Sequence, residues 1–342
     1  MTGHSQYKQC GQYVCQISLK GEKAMSNHVL LNTAERIEIT TLIDNYVDLL
    51  LPSTDIVARP PLAREGRVNA DTLLAEHGLS LLVTVFRNGQ KHTILFDTGY
   101  TKVGVLHNME QLGIHIEEIE AIIISHGHMD HTGSLYGILE KIPGSIPLVL
   151  HPGAFQYPRY TRTPDGSKRL FPQTLVKDDL EHKNIDVVES EKPTLIADNT
   201  IMITGEVERN TPFEKGMPNA LLEKDGELVF DPFIDDQAIV VKLNDKGLVV
   251  ISGCAHAGIV NTLMFAQKIT GEQKIHAVLG GFHLSGPFFE RFHDPTIDAL
   301  KKIDPDVLIP MHCTGWKAIQ RFQKEFPESF VLNSVGSKVM LS

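Results

Sequence analysis

Residues 125–133 have the sequence Ser-His-Gly-His-Met-Asp-His-Thr-Gly and concentrate metal-binding side chains in one short stretch. Three histidines and an aspartate lie within six residues: His126, His128, Asp130 and His131. Residues at these offsets do not share one face of a helix, so their side chains converge only if the chain turns sharply between a strand and a helix. Gly127 and Gly133 are expected to permit that turn. Because imidazole and carboxylate groups bind zinc, iron and manganese, the stretch predicts a metal site at a strand-to-helix loop.

Short apolar strands alternate with helices along most of the chain, which predicts an α/β fold. Asn88-Gly89 separates two apolar runs and predicts a β-hairpin. Strands are expected near residues 37–43, 79–86, 93–96, 121–125, 238–243, 248–252, 275–280 and 307–311, with another ending at Leu150-His151, and helices near 103–112, 133–141, 258–269 and 295–303.

One large domain is expected over residues 35–342. Residues 1–34 are polar and aperiodic, with three scattered glycines, and are expected to form a loosely ordered N-terminal extension. Residues of about 152–236 contain turn signals and few long apolar runs, which predicts an irregular insertion within the domain.

The composition limits which binding partners and which cellular compartment are expected for the protein. The chain has 42 acidic and 32 basic residues, a net charge of −10, which argues against nucleic acid or an anionic membrane as partner. Its four cysteines are too few and too scattered for a disulfide framework. The first 27 residues lack the apolar run of a signal peptide, and no segment approaches the roughly 20 apolar residues of a membrane span. A cytoplasmic location is expected, and the oligomeric state stays open.

Two further motifs at predicted strand ends accompany the histidine-rich loop. Residues 96–99 are Phe-Asp-Thr-Gly, and residues 309–315 are Ile-Pro-Met-His-Cys-Thr-Gly. Together with the H-x-H-x-D-H run of residues 126–131, they resemble the metallo-β-lactamase superfamily. The resemblance spans residues 36–342 and implies a four-layer αβ/βα sandwich with a metal site at one edge between two β-sheets.

Four shorter stretches are similar to one branch of that superfamily. They are Glu-His-Gly-Leu-Ser at 76–80, Ser-Gly-Cys-Ala-His at 252–256, Gly-Gly-Phe-His-Leu at 280–284 and His-Cys-Thr-Gly at 312–315. Archaeal members of the branch are named 7,8-dihydropterin-6-methyl-4-(β-D-ribofuranosyl)aminobenzene-5′-phosphate synthases, and most bacterial relatives are called metal-dependent hydrolases.

The resemblance implies one or two divalent metal ions, for which zinc is the first candidate and iron, nickel or manganese are alternatives. The ligands that it implies are His126 and His128 for one ion, and Asp130, His131 and His312 for the other. It also places Asp97 behind the ligands, as a support for them.

The chain departs from the superfamily pattern at two ligand positions. Residues 233–237 lack the usual third histidine, and the strand at 248–252 leads to Cys254 where the superfamily has a bridging aspartate. His256 is the first candidate to complete the first site, with Asp236 as the alternative. Because a thiolate is a good zinc ligand, Cys254 is expected to bind a metal; the alternative is a buried structural cysteine.

Several other residues are candidates for contact with substrate. Asp130 is expected to orient or deprotonate the attacking water, and His283, at the end of a strand, is expected to contact substrate or donate a proton. The resemblance places Glu76 and His77 along the same cavity. Basic residues of the insertion, interleaved with aromatic ones, are expected to bind phosphate and a flat ring or else to form a solvated loop. These are Arg159, Arg162, Lys168 and Arg169.

The expected activity is hydrolysis of a small phosphoester or other ester by a metal-activated water, whose pKa falls from about 15.7 to about 7 on a bound cation. One alternative is a synthase that joins a dihydropterin to a ribofuranosylaminobenzene phosphate, with a substrate carbon as nucleophile. Another is a metal-dependent binding protein without turnover. A redox enzyme of the flavodiiron type is disfavoured, because those relatives have glutamate at the position of His128.

Overall fold

A computed structural model describes residues 14–16, 28–68, 70–181 and 185–342. The strands are β1 (Val14–Gln16), β2 (Thr33–Ala34), β3 (Arg36–Ile43), β4 (Val57–Ala58), β5 (Ala63–Arg64), β6 (Arg67–Val68), β7 (Ser80–Arg87), β8 (Gln90–Phe96), β9 (Ala121–Ile123), β10 (Pro147–Leu150), β11 (Arg159–Arg162), β12 (Lys168–Leu170), β13 (Asp186–Glu189), β14 (Thr194–Ile196), β15 (Ile201–Ile203), β16 (Ala220–Lys224), β17 (Glu227–Phe230), β18 (Ala238–Leu243), β19 (Gly247–Ser252), β20 (Ile275–Gly281), β21 (Val307–Met311) and β22 (Lys338–Leu341). The α-helices are α1 (Gly104–Leu112), α2 (Met129–Thr132), α3 (Leu135–Leu139), α4 (Lys177–Glu181), α5 (Ile259–Thr270), α6 (His293–Ile303) and α7 (Trp316–Glu325).

Two eight-stranded sheets form the body of the fold. The first sheet has the strand order β13-β10-β9-β8-β7-β3-β22-β4. The second has the order β1-β14-β15-β18-β19-β20-β21, with β2 paired to β18. β8 and β9 are parallel neighbours in the first sheet, as are β19, β20 and β21 in the second. The loops that follow parallel neighbours emerge at the same edge of a sheet, where ligands gather in α/β folds.

Alternation along the strands separates one core between the sheets from two outer cores. Ile94 of β8 and Ile239 of β18 face the core between the sheets. Leu95 faces the outer side of the first sheet, which packs against α1 and α3, and Val240 faces the outer side of the second sheet, which packs against α5, α6 and α7. The layers are therefore helix, sheet, sheet and helix, and the predicted four-layer αβ/βα sandwich is confirmed.

The predicted strands and helices outside residues 152–236 are present, with bounds that differ by a few residues. The β7–β8 hairpin turns at Asn88 and Gly89, whose φ angles are +51° and +75°. These positive values match the turn that Asn-Gly favours. α1 ends at Gly113 in the left-handed conformation, as its sequence predicts.

The segment expected to be an irregular insertion differs from that expectation in containing regular strands. β13, β14 and β15 belong to the two main sheets, and four strands form a separate small sheet of order β12-β11-β16-β17. These strands are three to five residues long, too short for their alternation to stand out in the sequence.

Most of the predicted N-terminal extension, residues 1–34, lies outside the described residues. In its described part, β1 pairs with β14 and β2 pairs with β18. Within the described ranges, no helix is both long enough and apolar enough to cross a bilayer.

Candidate metal centre

Three loops bring buried ligand atoms together in two neighbouring groups. The loop after β9 carries the histidine-rich stretch, and the loops after β19 and β21 carry the other ligands. Within each group, the ligand atoms all lie within 4.8 Å of one another. The first group is His126, His128 and His256, and the second group is Asp130, His131, Cys254 and His312. The structure thus brings together all the residues that the sequence proposed as metal ligands, apart from the alternative Asp236.

The first group consists of three imidazole nitrogens that face one another. His126 Nε2 lies 3.0 Å from His128 Nδ1, and His256 Nε2 lies 3.2 Å from each of these two atoms. Burial lowers the pKa of all three rings, that of His128 to about 3. Neutral rings carry one lone pair each, and a cation is the partner that satisfies three converging lone pairs at once. The donor set therefore fits a divalent metal.

The second group adds a carboxylate and a sulfur. Asp130 Oδ2 lies 3.3 Å from His312 Nε2 and 3.8 Å from His131 Nε2, and this last atom lies 3.2 Å from Cys254 Sγ. Burial opposes ionisation of Asp130, but the neighbouring histidines outweigh it and hold the pKa of this carboxyl well below its usual range. His312 Nε2 is buried without a hydrogen bond of good geometry. Carboxylate, imidazole and thiolate together are ligands of zinc and iron.

Asp97, directly after β8, fixes the orientation of His131. Its Oδ2 accepts hydrogen bonds from His131 Nδ1 at 2.6 Å and from Ser125 Oγ at 2.7 Å, and its Oδ1 accepts one from the Ser125 backbone N–H at 2.7 Å. Burial lowers the pKa of His131, but the charges of Asp97 and Asp130 outweigh burial and raise it to about 9. Asp97 therefore holds a proton on Nδ1 and leaves Nε2 facing the second group.

Asp236, the alternative ligand, lies outside both groups. Its Oδ2 accepts a hydrogen bond from the backbone N–H of Ala257 at 2.8 Å, next to His256. Burial raises the pKa of this carboxyl to about 6. Asp236 thus holds the loop that carries His256, and the structure does not place it among the ligand atoms.

Arg159 is buried, not directed at open solvent as a phosphate-binding residue would be. Its guanidinium donates two hydrogen bonds to Asp235, at 2.8 and 3.1 Å, and its Nε lies 3.1 Å from Asp231 Oδ2. Asp235 also accepts a hydrogen bond from the backbone N–H of Gly127 at 2.9 Å. Arg159 therefore supports the histidine-rich loop through Asp235. This role differs from the substrate binding that was expected of Arg159.

The glycines of the histidine-rich loop are required for close packing and not for positive φ angles. A Cβ atom on Gly127 would lie 2.0 Å from the carbonyl oxygen of Ala154, and one on Gly133 would lie 1.9 Å from that of Tyr100. Neither glycine has a positive φ. The expected turn forms, but its glycines are explained by the approach of neighbouring backbone.

Comparisons with known proteins agree with this geometry. A profile described as Metallo-beta-lactamase superfamily matches residues 77–199. A Methanocaldococcus jannaschii protein named 7,8-dihydropterin-6-methyl-4-(beta-D-ribofuranosyl)-aminobenzene-5'-phosphate synthase is 38% identical over 259 residues, which cover 75% of this chain and 87% of that protein. The chain belongs to the metallo-beta-lactamase superfamily.

Further relatives within the superfamily have less specific descriptions. A second Methanocaldococcus jannaschii protein, named only as uncharacterised, is 32% identical over 262 residues, which cover 77% of this chain and 92% of that protein. The crystal structure of a metal-dependent hydrolase of the beta-lactamase superfamily is 26% identical and superposes with a TM-score of 0.65, covering 90% of this chain and 98% of that one. The predicted membership is confirmed, as is the prediction that the protein is an enzyme of this superfamily.

His283 lies beside both ligand groups. Its ring centroid is 4.3 Å from that of His256, and with Cys254 and His256 it forms a third group of ligand atoms within 4.8 Å of one another. Its Nδ1 is buried without a hydrogen-bond partner. An aromatic cleft opens next to it, lined by Phe213, Phe282, Phe289 and Phe292.

The remaining candidates for substrate contact differ in position. His77 has a side chain that is 63% exposed, and its Nε2 lies 3.9 Å from Asp130 Oδ2. Glu76 instead accepts hydrogen bonds from two backbone N–H groups, those of Tyr100 and Thr101, and so holds the loop before α1. Three basic residues are exposed on the small sheet: Arg162, Lys168 and Arg169.

Backbone strain marks the same site. Asp97, His283 and His312 have φ angles of +60°, +45° and +49°, which non-glycine residues rarely adopt. Such strain persists where the surrounding structure holds it, and it concentrates at functional sites. All three residues directly follow or closely follow strands that end at the site, β8, β20 and β21.

The sequence did not reveal the residues that hold His312. Asp44 Oδ1 accepts the backbone N–H groups of Asn45 and His312, at 2.7 and 2.8 Å. Asn45 also contacts His312 and His77 through its side chain. The available signal was a pair of polar residues directly after the apolar strand β3, which ends beside the site.

Proposed function

We propose that the protein is a metal-dependent hydrolase that acts on a small phosphoester or other ester. The observation that carries the proposal is the pair of adjacent buried ligand groups, in which the ring centroids of His126 and His131 lie 4.2 Å apart, with the exposed ring of His77 beside Asp130. When bound, divalent metal ions supply Lewis-acid chemistry, which lowers the pKa of water and polarises phosphoryl and carbonyl oxygens. The donor atoms favour zinc, with iron, nickel or manganese as alternatives.

The two groups are suited to different tasks. The three neutral nitrogens of the first group correspond to a site with three protein ligands, which is typical of catalytic zinc because it leaves a position open. The second group contains the ionised carboxylate of Asp130, whose side chain is 10% exposed. This carboxylate would orient a nucleophile by accepting a hydrogen bond from it, since its low pKa makes it a weak proton acceptor, while Asp97 keeps His131 in one orientation.

Two histidines with partly exposed rings or unpartnered nitrogens border the site. His77 lies beside Asp130, and His283 lies beside His256 and the aromatic cleft. We assign them to contacts with substrate. Arg162, Lys168 and Arg169 on the small sheet would attract a phosphate group to this side of the molecule.

A synthase that joins a dihydropterin to a ribofuranosylaminobenzene phosphate is the second candidate. The relative with that name is 38% identical and matches over 87% of its length, and aromatic side chains lie next to His283. In this case a carbon of the substrate, and not water, is the nucleophile, and the same residues bind the same metals.

Product analysis separates the two candidates. The protein as purified is assayed for zinc, iron, nickel and manganese by elemental analysis. It is then incubated with a panel of phosphodiesters, phosphomonoesters and lactones, and separately with a dihydropterin diphosphate plus the ribofuranosylaminobenzene phosphate. Hydrolysed products support the hydrolase, whereas a coupled product without hydrolysis overturns it in favour of the synthase. Metal-dependent ligand binding without turnover of any mixture would indicate a binding protein.

A pair of matched variants tests whether any turnover depends on the two ligand groups. Asp130→Asn is expected to lower kcat by about 100-fold or more, because it removes a charged ligand and the carboxylate that would orient the nucleophile. Asp298→Asn, at an exposed position on α6, removes the same charge far from the ligands and is expected to leave kcat unchanged. Equal loss in both variants would contradict the assignment of the site.

A further inference from the structure

We infer that Asn45 is a positioning residue that fixes the tautomers of two histidines, His312 and His77, so that His77 presents an N–H group to the substrate beside Asp130. That this N–H group binds an oxygen of the substrate rests on the proposed hydrolase function. The tautomers themselves follow from the hydrogen bonds of one side-chain amide.

The orientation of the Asn45 amide is decided by a backbone carbonyl. One end of the amide lies 3.2 Å from the carbonyl oxygen of His312. A carbonyl oxygen only accepts hydrogen bonds, so this end must be the NH₂ group of Asn45. The usual ambiguity between the two ends of an asparagine amide is therefore removed.

With the amide oriented in this way, the tautomers of both rings follow. The amide oxygen of Asn45 lies 3.3 Å from His312 Nδ1, which therefore donates and carries a proton. The NH₂ group of Asn45 lies 3.2 Å from His77 Nδ1, which therefore accepts. A neutral ring that accepts at Nδ1 carries its proton on Nε2, so His77 is the Nε2–H tautomer and His312 is the Nδ1–H tautomer.

Each tautomer suits the place where the ring lies. His312 turns the lone pair of Nε2 toward the second ligand group, 3.3 Å from Asp130 Oδ2, as a metal ligand requires. His77 turns its Nε2–H group toward the same carboxylate, but at 3.9 Å, which is too far for a direct hydrogen bond. That N–H group is thus available to an anionic oxygen of a substrate bound beside Asp130.

Asp44 holds the backbone of Asn45 beside the backbone of His312. Its Oδ1 accepts hydrogen bonds from the backbone N–H groups of both residues, at 2.7 and 2.8 Å. Its Oδ2 accepts one from the side-chain NH₂ of Asn333 at 2.7 Å. The segments 44–45 and 312 are thereby joined although 267 positions separate Asn45 from His312. The backbone of Asn45 is thus held in place, although its side chain extends to the exposed ring of His77.

Nuclear magnetic resonance of histidine nitrogens tests the assignment directly. Zinc-loaded protein labelled with ¹⁵N in its histidines gives long-range ¹H–¹⁵N correlations that distinguish the two tautomers of a ring. We expect Nε2–H for His77 and Nδ1–H for His312. In Asn45→Asp, an oxygen replaces the NH₂ group, so His77 is expected to change to Nδ1–H, while His312 keeps an acceptor and zinc content stays unchanged. Asn45→Ala, which adds no charge, is expected to leave His77 in a mixture of both tautomers.

Steady-state kinetics measure the consequence for turnover, with a substrate identified among the phosphoesters and lactones assayed above. Asn45→Asp is expected to lower kcat by about tenfold or more, with a smaller change in KM, since one N–H donor to the reacting group is lost. His77→Gln, which retains an N–H donor, is expected to keep more activity than His77→Ala. Asn244→Asp, at an exposed turn, is the control for the added charge and is expected to match the unaltered protein.

The outcomes separate this inference from the proposed function. An Nδ1–H tautomer of His77 in the unaltered protein, or one that does not respond to either substitution of Asn45, overturns the inference even if hydrolysis occurs. Expected tautomers without any hydrolysis overturn the proposed function and leave the positioning by Asn45 supported. Unchanged kcat in His77→Ala overturns the role of His77 in turnover.

Discussion

Asp97→Asn tests whether a buried carboxylate behind His131 controls metal affinity. Asp97 accepts three hydrogen bonds, two from Ser125 and one from His131 Nδ1. The side chain of asparagine has a single oxygen that can accept hydrogen bonds. When this oxygen accepts the hydrogen bond from the backbone N–H of Ser125, the NH₂ group of the asparagine faces His131 Nδ1. In the neutral ring of His131, which is the form that binds a metal, the proton then moves to Nε2, the atom that faces Cys254, and must be displaced before a metal binds there.

The expected loss follows from this change of tautomer. Removing such an outer partner of a ligating histidine weakens metal affinity by about 10–100-fold, which corresponds to about 1.4–2.7 kcal/mol. Asp298→Asn is the matched control, because it makes the same substitution at an exposed position on α6. Its zinc affinity is expected to equal that of the unaltered protein.

Competition between the protein and a fluorescent zinc chelator measures these affinities. Thermal unfolding of the metal-free variants serves as the check on folding, since a buried asparagine in place of Asp97 also loses part of the hydrogen bonding. The reasoning is refuted if folded Asp97→Asn binds zinc as tightly as the unaltered protein, or if Asp298→Asn loses as much affinity as Asp97→Asn.

Three further predictions concern stability. Gly127→Ala would place a Cβ 2.0 Å from the carbonyl oxygen of Ala154, so the loop must shift, and both thermal stability and zinc content are expected to fall. Arg159→Gln leaves two buried carboxylates unpaired and is expected to cost about 3–5 kcal/mol in chemical denaturation, whereas Arg162→Gln, at an exposed position, is expected to change stability by less than about 0.5 kcal/mol. Burial raises the pKa of Glu214 to about 7 from 4.5. The folded chain therefore binds the proton of Glu214 more tightly than the unfolded chain does, and the stability gained from this proton is lost as the pH rises from 4.5 through 7. In Glu214→Gln this loss of stability with pH is expected to be smaller, by at most about 3 kcal/mol. Chemical denaturation across the same pH range measures it.

Each of these has a result that would contradict it. Gly137→Ala, in α3, meets only the side chain of Leu106 at 3.3 Å and a more distant backbone oxygen, so a loss equal to that of Gly127→Ala would argue against the backbone clash. Similar costs for the two arginine variants would argue against the buried ion pairs. A pH profile of stability that Glu214→Gln leaves unaltered would show that this carboxyl does not titrate between 4.5 and 7.

The metal ligands were predictable because their chemistry is local. His126, His128, Asp130 and His131 occupy one short stretch, whereas His312, Cys254 and His256, which follow apolar strands, were assigned through the resemblance to the superfamily. Asn45 was not predictable, because its role depends on contacts with a residue 267 positions away.

Arg159 shows a different limit of sequence reasoning. Arg159 and Arg162 lie three residues apart on β11, and side chains at odd spacing point to opposite faces of a strand. One arginine is therefore buried against Asp235 and the other is exposed, although both belong to the same basic cluster in the sequence. Without the strand bounds, neither orientation can be assigned.

The small sheet combines a buried contact with the histidine-rich loop and an exposed hairpin tip. Its inward residue Arg159 braces the loop of Gly127 through Asp235, whereas its hairpin tip at 164–167 is exposed. Phe171, just beyond β12, lies against His128 with ring centroids 5.1 Å apart. Substitutions at the tip are therefore expected to leave the contacts of Arg159 intact, whereas substitutions at Arg159 or Asp235 are expected to disturb the loop that carries His126 and His128.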